Sequence, residues 1–442
     1  MKRVLLISPH FPPVNAPDCQ RIRMSLRFYR ESGWDAVVLA VHPRHRADWH
    51  DESLKESLPT DVPVHYCEAL PLQYTRLLGI QNLGLRCLLA LHRKACALLR
   101  EGHFDLVFFS TTQFMVMPLG LLWQRRFGVP YVIDLQDPWR SDYYERPGSP
   151  RPPGGWKYQF ARLTAWMFEE RTFRGAKGFI SVSHYYFRNL GARYPWFGAK
   201  PTQVIPFGAP QADFDFLRRQ PGRGQLAPAG KIHLVAAGAL GPGFSHALRV
   251  LFSGLKRLRM QQPALADRLR LHFVGTSYAQ PKMAVLSARP IAEAYGVDDL
   301  VEEMPYRIGY LDSLRLMQAA DALLILGSDD LAYSPSKIYP CYLTQRPILG
   351  LAHHGSLLQY LLGQLHACQV VSLLSPGLET APPHEVAWLL ALAAEGRLPA
   401  TAGQEAWFQS HLSARACTAR QCTFFEYALS LPATPALGAP LP

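Results

Sequence analysis

The sequence predicts an α/β protein made of two consecutive doubly wound domains, and three observations lead to this prediction. First, the chain has 442 residues, well beyond the roughly 250 to 300 at which a single hydrophobic core usually stops growing. Second, hydrophobic residues make up 48% and charged residues 18%, an ordinary globular composition that argues against extensive disorder. Third, short apolar runs alternate with helix-length segments, and the alternation stops once and then restarts.

The first series of apolar runs predicts the strands of an amino-terminal domain. The runs lack in/out alternation, so we expect strands that are buried on both faces of a parallel sheet. They are VLLIS (4–8), AVVLAV (36–41), DLVFFS (105–110), YVIDLQD (131–137), GFISVS (178–183) and TQVIPFG (202–208). Helix-length segments separate them at 17–32, 79–101, 118–127 and 156–174. We therefore assign residues 1–210 to the first domain.

Residues 211–230 interrupt the pattern, because they are rich in Gly, Pro and charge and have no sustained period, and we predict a linker there. The alternation restarts with strands at 231–238, 270–276, 321–327, 347–352 and 368–374, and with helices near 244–260, 282–296 and 355–363. This predicts a second domain over 231–400, carboxy-terminal helices over 401–431 and a disordered tail over 432–442. Open parallel sheets bind ligands at the carboxyl ends of their strands, so two of them predict a cleft between the domains.

Charge and cysteine usage limit the classes of partner. Lys plus Arg exceed Asp plus Glu by 46 to 34, a net charge of +12 that favours anionic partners. The basic residues form no compact block or nucleic-acid module, so nucleic acid is excluded as a partner. No apolar run is long enough to span a bilayer, which predicts a cytoplasmic protein. The eight cysteines include no C-x-x-C pair, so neither a zinc site nor a redox pair is predicted.

The loop after the first strand, SPHFPPVNAPDCQR (8–21), contains four prolines and no glycine. Proline has no N–H for a phosphate, so the loop is a poor pyrophosphate cradle and a nicotinamide dehydrogenase is disfavoured. The loop suits instead a rigid wall against an acceptor, with Ser8 and His10 as candidate polar contacts. A structural role for His10 remains the alternative.

A second candidate loop, DLQDPWRSDYYER (134–146), places Asp134, Asp137, Arg140 and Asp142 just past a buried strand. Charges in such a position are costly unless they are paired or used. Asp137 is typical of a helix N-cap and Pro138 of a first helical position. That structural interpretation is compatible with Asp137 or Arg140 facing the acceptor.

The second domain offers two candidate phosphate-binding segments. AAGALGPGFSH (236–246) is a turn between a strand and a helix, and the N–H groups of Gly238, Gly241 and Gly243 are candidate diphosphate ligands. The alternative is that these glycines serve only to form a tight turn. In SPSKIYPCYLTQRPILGLA (334–352), Lys337 lies near the expected positive end of a helix dipole, where a bound anion would compensate its charge. Ser336 and Lys337 are therefore predicted phosphate ligands. Pro340 leaves open whether the helix begins there or earlier.

The segment SPSKIYPCYLTQRPILGLA resembles the P-S-K-x-x-E-Y-L-A-x-G-x-P signature of glycosyltransferase family 4. SPHFPP, IDLQDPW, ISVSHYY and VIPFG stand where that family has related segments. The resemblance implies the GT-B fold, in which two Rossmann-like domains face a central cleft. It also implies transfer from a nucleotide-diphosphate sugar with retention of configuration, in which the leaving phosphate helps to deprotonate the acceptor. No metal and no cofactor are then expected.

The resemblance gives each candidate residue a role in this sequence. The implied catalytic residues are Asp137, His10 and Lys337; the implied donor ligands are Gly238, Gly241, Gly243, Ser336, Lys337 and Tyr339; the implied acceptor-side residues are Ser8, Arg140 and His184. The chain also departs from the family. Pro340 replaces the glutamate that holds the donor ribose in the family. Only His246 and Arg249 follow the glycine turn, where the family has arginine and lysine. The family's paired-glutamate motif is missing, and Asp329 and Asp330 lie near its place.

The leading hypothesis is therefore a glycosyltransferase of cell-envelope polysaccharide or secondary-metabolite synthesis, with a lipid-linked or small-molecule acceptor. A nucleotide-sugar epimerase and a catalytically degenerate binding protein of the same fold are the alternatives. Within 76–101, Arg86, Arg93 and Arg100 recur every seven residues beside Lys94, which predicts one basic helix face. This face makes an anionic membrane surface a further candidate partner, with peripheral attachment to the inner face of the membrane; a solvated surface helix is the alternative.

Overall fold

The computed structural model describes residues 1–140, 155–220, 222, 224, 226–277, 283–330, 333, 335–371, 383–401 and 403–432. It divides the chain into two compact units, the first formed by residues 1–208 and 414–442 and the second by residues 209–413. The first unit thus contains the carboxy-terminal part of the chain as well as the amino-terminal half.

The first unit contains, among its described residues, a seven-stranded parallel sheet in the order β3-β2-β1-β4-β5-β6-β7. Its strands are β1 (Lys2–Ile7), β2 (Trp34–Val41), β3 (Val64–Cys67), β4 (Leu106–Ser110), β5 (Tyr131–Leu135), β6 (Gly178–Ser181) and β7 (Thr202–Val204). The central strands β4, β5 and β6 are buried along their whole length, as expected for a sheet that is covered on both faces. The strand order, with β1 and β4 adjacent at the centre, is that of a Rossmann-like domain.

Helices cover both faces of this sheet. They are α1 (Gln20–Ser25), α2 (Ser53–Glu56), α3 (Leu72–Thr75), α4 (Leu83–Glu101), α5 (Leu119–Phe127), α6 (Trp156–Gly175) and α7 (His184–Arg193). The segment 17–32, predicted as one helix, is instead α1 flanked by short 3-10 turns, and Gly33 ends it in the left-handed conformation.

The second unit contains, within the described residues, a six-stranded parallel sheet in the order β10-β9-β8-β11-β12-β13. Its strands are β8 (Ile232–Ala237), β9 (Leu269–Val274), β10 (Val301–Met304), β11 (Ala322–Leu326), β12 (Ile348–Ala352) and β13 (Cys368–Val371). Its helices are α8 (Gln211–Arg219), α9 (Ser245–Gln261), α10 (Pro263–Ala266), α11 (Arg289–Tyr295), α12 (Tyr310–Ala319), α13 (Ile338–Leu343), α14 (Leu357–Gln364), α15 (Pro383–Ala394) and α16 (Glu405–His411). Both sheets therefore have the predicted α/β architecture.

Two segments outside the predicted domains form helices. The first half of the predicted linker, 211–230, is α8, which buries Phe214 and Leu217 on one face. The last helix, α17 (Ala414–Ser430), lies in the predicted carboxy-terminal helical segment but packs into the first unit, where Phe425 makes an edge-to-face contact with Trp34 at 5.4 Å between ring centroids. Of the predicted disordered tail, residues 433–442 lie outside the described residues.

The predicted basic stripe on α4 is wrong at one of its four cations. Arg86 is 4% exposed, and its Nε donates a hydrogen bond to the carbonyl of Leu70 at 2.7 Å. Arg93 and Arg100 are exposed and Lys94 is half-buried. The seven-residue spacing missed the burial of Arg86 because the segment before α4 folds back over the beginning of the helix. Among the described residues, no helix is both long enough and apolar enough to cross a bilayer.

Candidate functional site

His10 is buried at the carboxyl end of β1 and is held by an aspartate. Its Nδ1 lies 2.9 Å from Oδ1 of Asp18, and both side chains are less than a tenth exposed. Ser8, 1% exposed, donates its hydroxyl to the carbonyl of His10 at 2.7 Å. Ser8 therefore fixes the backbone of the loop, and Asp18 fixes the imidazole ring.

Asp18 receives further hydrogen bonds from the loop after β4. Its Oδ2 accepts from the hydroxyl of Thr111 and from both the backbone N–H and the hydroxyl of Thr112, each at 3.0 Å. Burial alone would raise the pKa of the Asp18 carboxyl, but the charge of His10 and the hydrogen bonds from His10 and Thr112 outweigh burial and lower the pKa to about 2. The carboxylate is thus ionised at neutral pH and oriented from both sides.

A second buried carboxylate lies beneath this pair. Asp134, fully buried at the end of β5, accepts from Arg21 Nε at 2.6 Å, from the Ser110 hydroxyl at 2.8 Å and from Gln136 Nε2 at 2.8 Å. Arg21 also donates to the carbonyl of Ile205 at 2.8 Å, which ties the loop after β7 to β5. These charges are paired inside the protein and therefore serve the structure of the strand ends.

Asp137 differs from both buried aspartates because its side chain is exposed. Although the side chain reaches solvent, the surrounding protein atoms partly desolvate its carboxyl group. This desolvation and the nearby charge of Asp18 raise the pKa of Asp137 to about 6. Residues 136–140 are irregular and not helical, so the predicted N-cap of a helix beginning at Pro138 is wrong over these residues. Asp142 lies outside the described residues.

The loop that carries Asp137 is clamped by a buried glutamate on α6. Oε1 of Glu169, which is 1% exposed, accepts from Arg193 Nη1 and from the Tyr194 hydroxyl, each at 2.9 Å. The backbone N–H of Arg140 donates to the same carboxylate, and Arg193 Nη2 donates to the carbonyl of Arg140 at 3.1 Å. Burial nevertheless raises the pKa of Glu169. Both peptide groups at Arg140 are therefore fixed, and a small pocket beside them includes Asp137, Arg140 and Arg193.

His184 is exposed at the first position of α7, where the hydroxyl of Ser183 caps the helix by accepting from the N–H of Tyr185 at 3.3 Å. Its ring packs on that of Tyr185 with centroids 4.2 Å apart. His184 does not line the pocket that contains Asp137. Thus the described part of the first unit brings His10, Asp18 and Asp137 into one electrostatic cluster and leaves His184 apart from it.

In the second unit, Lys337 lies directly on the glycine turn that follows β8. A Cβ atom added to Gly238 would overlap Cε and Nζ of Lys337, so the ammonium group rests against a backbone that only glycine leaves open. Gly238 also has φ of +116°, a conformation that other residues rarely adopt. The glycine turn and the side chain of Lys337 are therefore in direct contact.

The Lys337 ammonium is in an unfavourable environment. Burial lowers its pKa to about 8, with a further contribution from the positive charge of Arg307 and an opposing one from Cys341. Within the described residues, no ion pair or side-chain hydrogen bond engages Lys337. Lys337 immediately precedes α13, which begins at Ile338 and so earlier than Pro340.

The other predicted donor residues have different environments. Ser336 is partly exposed beside Lys337, whereas Tyr339 is 1% exposed and packs in the core, so the structure does not offer its ring to a ligand. A Cβ on Gly243 would collide with Ser328 and Asp329, but nothing lies within 4 Å of one on Gly241. Gly243 is thus required by close approach of the loop after β11, and Gly241 is not. Within the residues that the structure describes, no group of three or more His, Cys, Asp or Glu side chains is placed to hold a metal ion.

Sequence reasoning missed Asp18, Thr111, Thr112 and Glu169, which organise the first-unit cluster. Asp18 and Thr111 are 93 residues apart, and neither belongs to a motif. Glu169 lies in the interior of α6 and resembles a solvated helix residue in sequence. One signal was present for Asp134, since a carboxylate in an otherwise apolar strand requires a buried partner.

The comparisons with known proteins agree with this architecture. Residues 20–208 match the family described as Glycosyl transferase 4-like domain. No curated protein matches the chain in sequence. Among solved structures, Anabaena HepE in complex with UDP and glucose is similar at 17% identity over 97% of this chain and 100% of that chain, with a TM-score of 0.57.

Two further structures are similar over nearly the whole length. Sucrose-phosphate synthase from Thermosynechococcus elongatus is 15% identical over 97% of this chain and 99% of that chain, with a TM-score of 0.62. WaaG, described as a glycosyltransferase involved in lipopolysaccharide biosynthesis, is 14% identical over 97% and 95%, with a TM-score of 0.52. At these identities the similarity establishes the fold. The chain therefore has the GT-B fold, and its residues 20–208 match a glycosyl transferase 4-like domain.

Proposed function

We propose that the second unit binds the diphosphate of a nucleotide-sugar donor through Lys337, Ser336 and the turn at Gly238. The observation that carries this proposal is the Lys337 ammonium, which rests on Gly238 with a pKa lowered to about 8 and without an ion pair among the described residues. A diphosphate would supply the missing counter-charge and raise that pKa again. The UDP and the UDP-glucose bound in the HepE structures are ligands of this chemical class.

The first unit is proposed to bind the acceptor. His10, oriented by Asp18, would hydrogen-bond the sugar or acceptor, and Asp137 would accept a proton or a hydrogen bond above a pH of about 6, where it is ionised. Arg140, on the clamped loop, and His184, exposed at the start of α7, are proposed acceptor contacts. A lipid-linked intermediate or a small secondary metabolite fits the role of acceptor, and WaaG is described as a glycosyltransferase involved in lipopolysaccharide biosynthesis.

Transfer with retention of configuration is the stereochemical outcome that we propose, on the family resemblance of the SPSK segment. The leaving phosphate would then help to deprotonate the acceptor on the same face of the sugar, and neither a protein nucleophile nor a metal ion would be needed. The proposal is tested by determining the anomeric configuration of the product by NMR and by repeating turnover in the presence of a chelator. An inverted product or loss of turnover with the chelator would contradict it.

The donor assignment is tested with Lys337→Met and, as a matched control, Lys256→Met, which changes an exposed lysine on α9. Isothermal titration with a panel of nucleoside diphosphates should show a loss of about 1.5 to 3 kcal/mol for the first variant and none for the second. Equal affinity in both variants would refute the role of Lys337. Incubation with nucleotide sugars alone separates transfer from epimerisation, since an epimer formed without acceptor would contradict the transferase.

A further inference from the structure

An exposed apolar stretch of the first unit surrounds α3, and we call residues 70–78 the apolar segment. Its large side chains project from the protein: Leu70 is 59% exposed, Leu72 45%, Tyr74 63%, Leu77 86% and Leu78 75%. Single exposed leucines are common and need no explanation, but five such residues within one short segment form a contiguous patch. None of the proposed donor and acceptor residues belongs to this segment, so the patch is a candidate site for a separate partner.

The apolar segment is held in an ordered conformation. The buried Arg86 donates through Nε to the carbonyl of Leu70 at 2.7 Å, and the N–H of Leu70 donates to the carbonyl of Arg86 at 3.0 Å. Thr75, 5% exposed, anchors the turn, and its carbonyl accepts from the N–H of Ile80 at 2.9 Å. The leucines are thus presented to solvent by a fixed backbone.

The charged residues next to the apolar segment in the sequence are basic. Between Glu68 and Glu101, residues 69–100 contain five Lys or Arg residues and no Asp or Glu. Arg76, Arg93 and Arg100 are exposed and Lys94 is half-buried, and none of the four takes part in an ion pair or side-chain hydrogen bond within the described residues. A partner for this surface must therefore combine an apolar interior with negative charge at its edge.

We propose that the apolar segment and its flanking cations bind the first unit to an anionic lipid bilayer. Leu77 and Leu78 enter the boundary between head groups and acyl chains, and Arg76 and Arg93 contact anionic head groups. Leucine is under-represented among the residues that dominate protein–protein interfaces, whereas leucines beside unpaired cations are typical of interfacial membrane segments. The exposed cations Arg76, Arg93 and Arg100 are sufficient for a reversible, salt-sensitive attachment.

Co-sedimentation of the full chain with vesicles tests the proposal. Wild-type protein should bind vesicles of phosphatidylcholine mixed with phosphatidylglycerol and release at high ionic strength, and it should bind vesicles of phosphatidylcholine alone far more weakly. Arg76→Gln combined with Arg93→Gln should weaken binding by about 30-fold, at about 1 kcal/mol for each cation. Leu77→Ser combined with Leu78→Ser should weaken it by at least about tenfold.

Matched controls are available in the second unit. Met260 is 76% exposed and Arg257 is exposed, so Met260→Ser and Arg257→Gln remove comparable groups from another surface and should leave vesicle binding unchanged. Nucleotide affinity and thermal midpoint should be the same in all variants, which separates loss of docking from loss of fold or donor site. Failure of the wild type to bind anionic vesicles overturns the proposal. A concentration-dependent dimer that the leucine variant abolishes would assign the patch to a second copy and would likewise overturn it.

Discussion

The two units differ in how the charged side chains near their strand ends are paired. In the first unit, Asp18 and Asp134 are buried and engaged within the same unit: His10 and threonine hydroxyls hold Asp18, and Arg21 and the Ser110 hydroxyl hold Asp134. In the second unit, Lys337 is desolvated against Gly238 without such a partner among the described residues. The first arrangement is complete as folded, whereas the second would gain stability from the anion that we propose binds there. The comparison separates a charge cluster that stabilises the fold from one that we propose binds the ligand.

The largest loss of stability is expected from removing one partner of the buried Arg21–Asp134 ion pair. Arg21→Met leaves the fully buried Asp134 carboxylate without its cation and removes the ties to Ile205 and Pro206. Loss of one partner of a buried pair should destabilise the first unit by about 3 to 5 kcal/mol, measured by urea unfolding. Adding Asp134→Leu should recover part of the loss. An unchanged unfolding midpoint in the single variant would show that the pair is not a structural element.

The glycine turn allows a sharper test of the unpaired lysine. Gly238→Ala places a methyl group on the Lys337 ammonium and strains a residue with φ of +116°, so nucleotide affinity should fall by about 1 to 3 kcal/mol. Gly241→Ala meets no atom within 4 Å and should change affinity by less than about 0.5 kcal/mol. Calorimetric titration of both variants provides the comparison. Equal losses would mean that the turn binds through its flexibility and not through contact with Lys337.

The pH dependence of nucleotide binding is the smallest predicted effect. The pKa of Lys337 is lowered to about 8 in the free protein, so the side chain is charged at pH values well below 8 and loses its proton as the pH rises through 8. Nucleotide affinity should therefore weaken above about pH 8, with a limiting slope of about tenfold per pH unit, or about 1.4 kcal/mol. Lys337→Arg keeps its charge throughout this range and should flatten the profile. The same profile in both proteins would exclude Lys337 as the titrating group.

The sequence was most informative where a single element carries the signal. Uninterrupted apolar runs located the long strands, and the expected start of a helix near Lys337 was close to the observed start of α13 at Ile338. The strands β3 and β10 were missed because they are four residues long and half polar, as in VHYC and VEEM. Tyr339 was assigned to the donor from its place in a motif, yet its side chain is buried. A motif gives the order of residues and not the direction of their side chains.

The parts that could not be predicted depend on contacts distant in sequence. Asp18 binds the loop after β4, and Glu169 binds a loop that precedes it by about 30 residues. Neither contact follows from the periodicity of apolar residues along the sequence. The burial of Arg86 depends in the same way on the fold-back of residue 70. Single-residue spacing cannot detect such contacts, because they arise only when crossovers bring strand ends and loops together.

The return of α17 to the first unit gives the chain an order of assembly during synthesis. The chain leaves the first unit after Gly208 and re-enters it at Ala414, and the two crossings lie side by side, with Gly208 packed on Ala414 and the N–H of Ala209 bonded to the carbonyl of Leu412 at 2.8 Å. Domains usually fold in the order in which they leave the ribosome. Here the whole second unit leaves the ribosome before Phe425, which packs against Trp34 and Phe108 in the core of the first unit. The unit that begins first is therefore the one that is completed last.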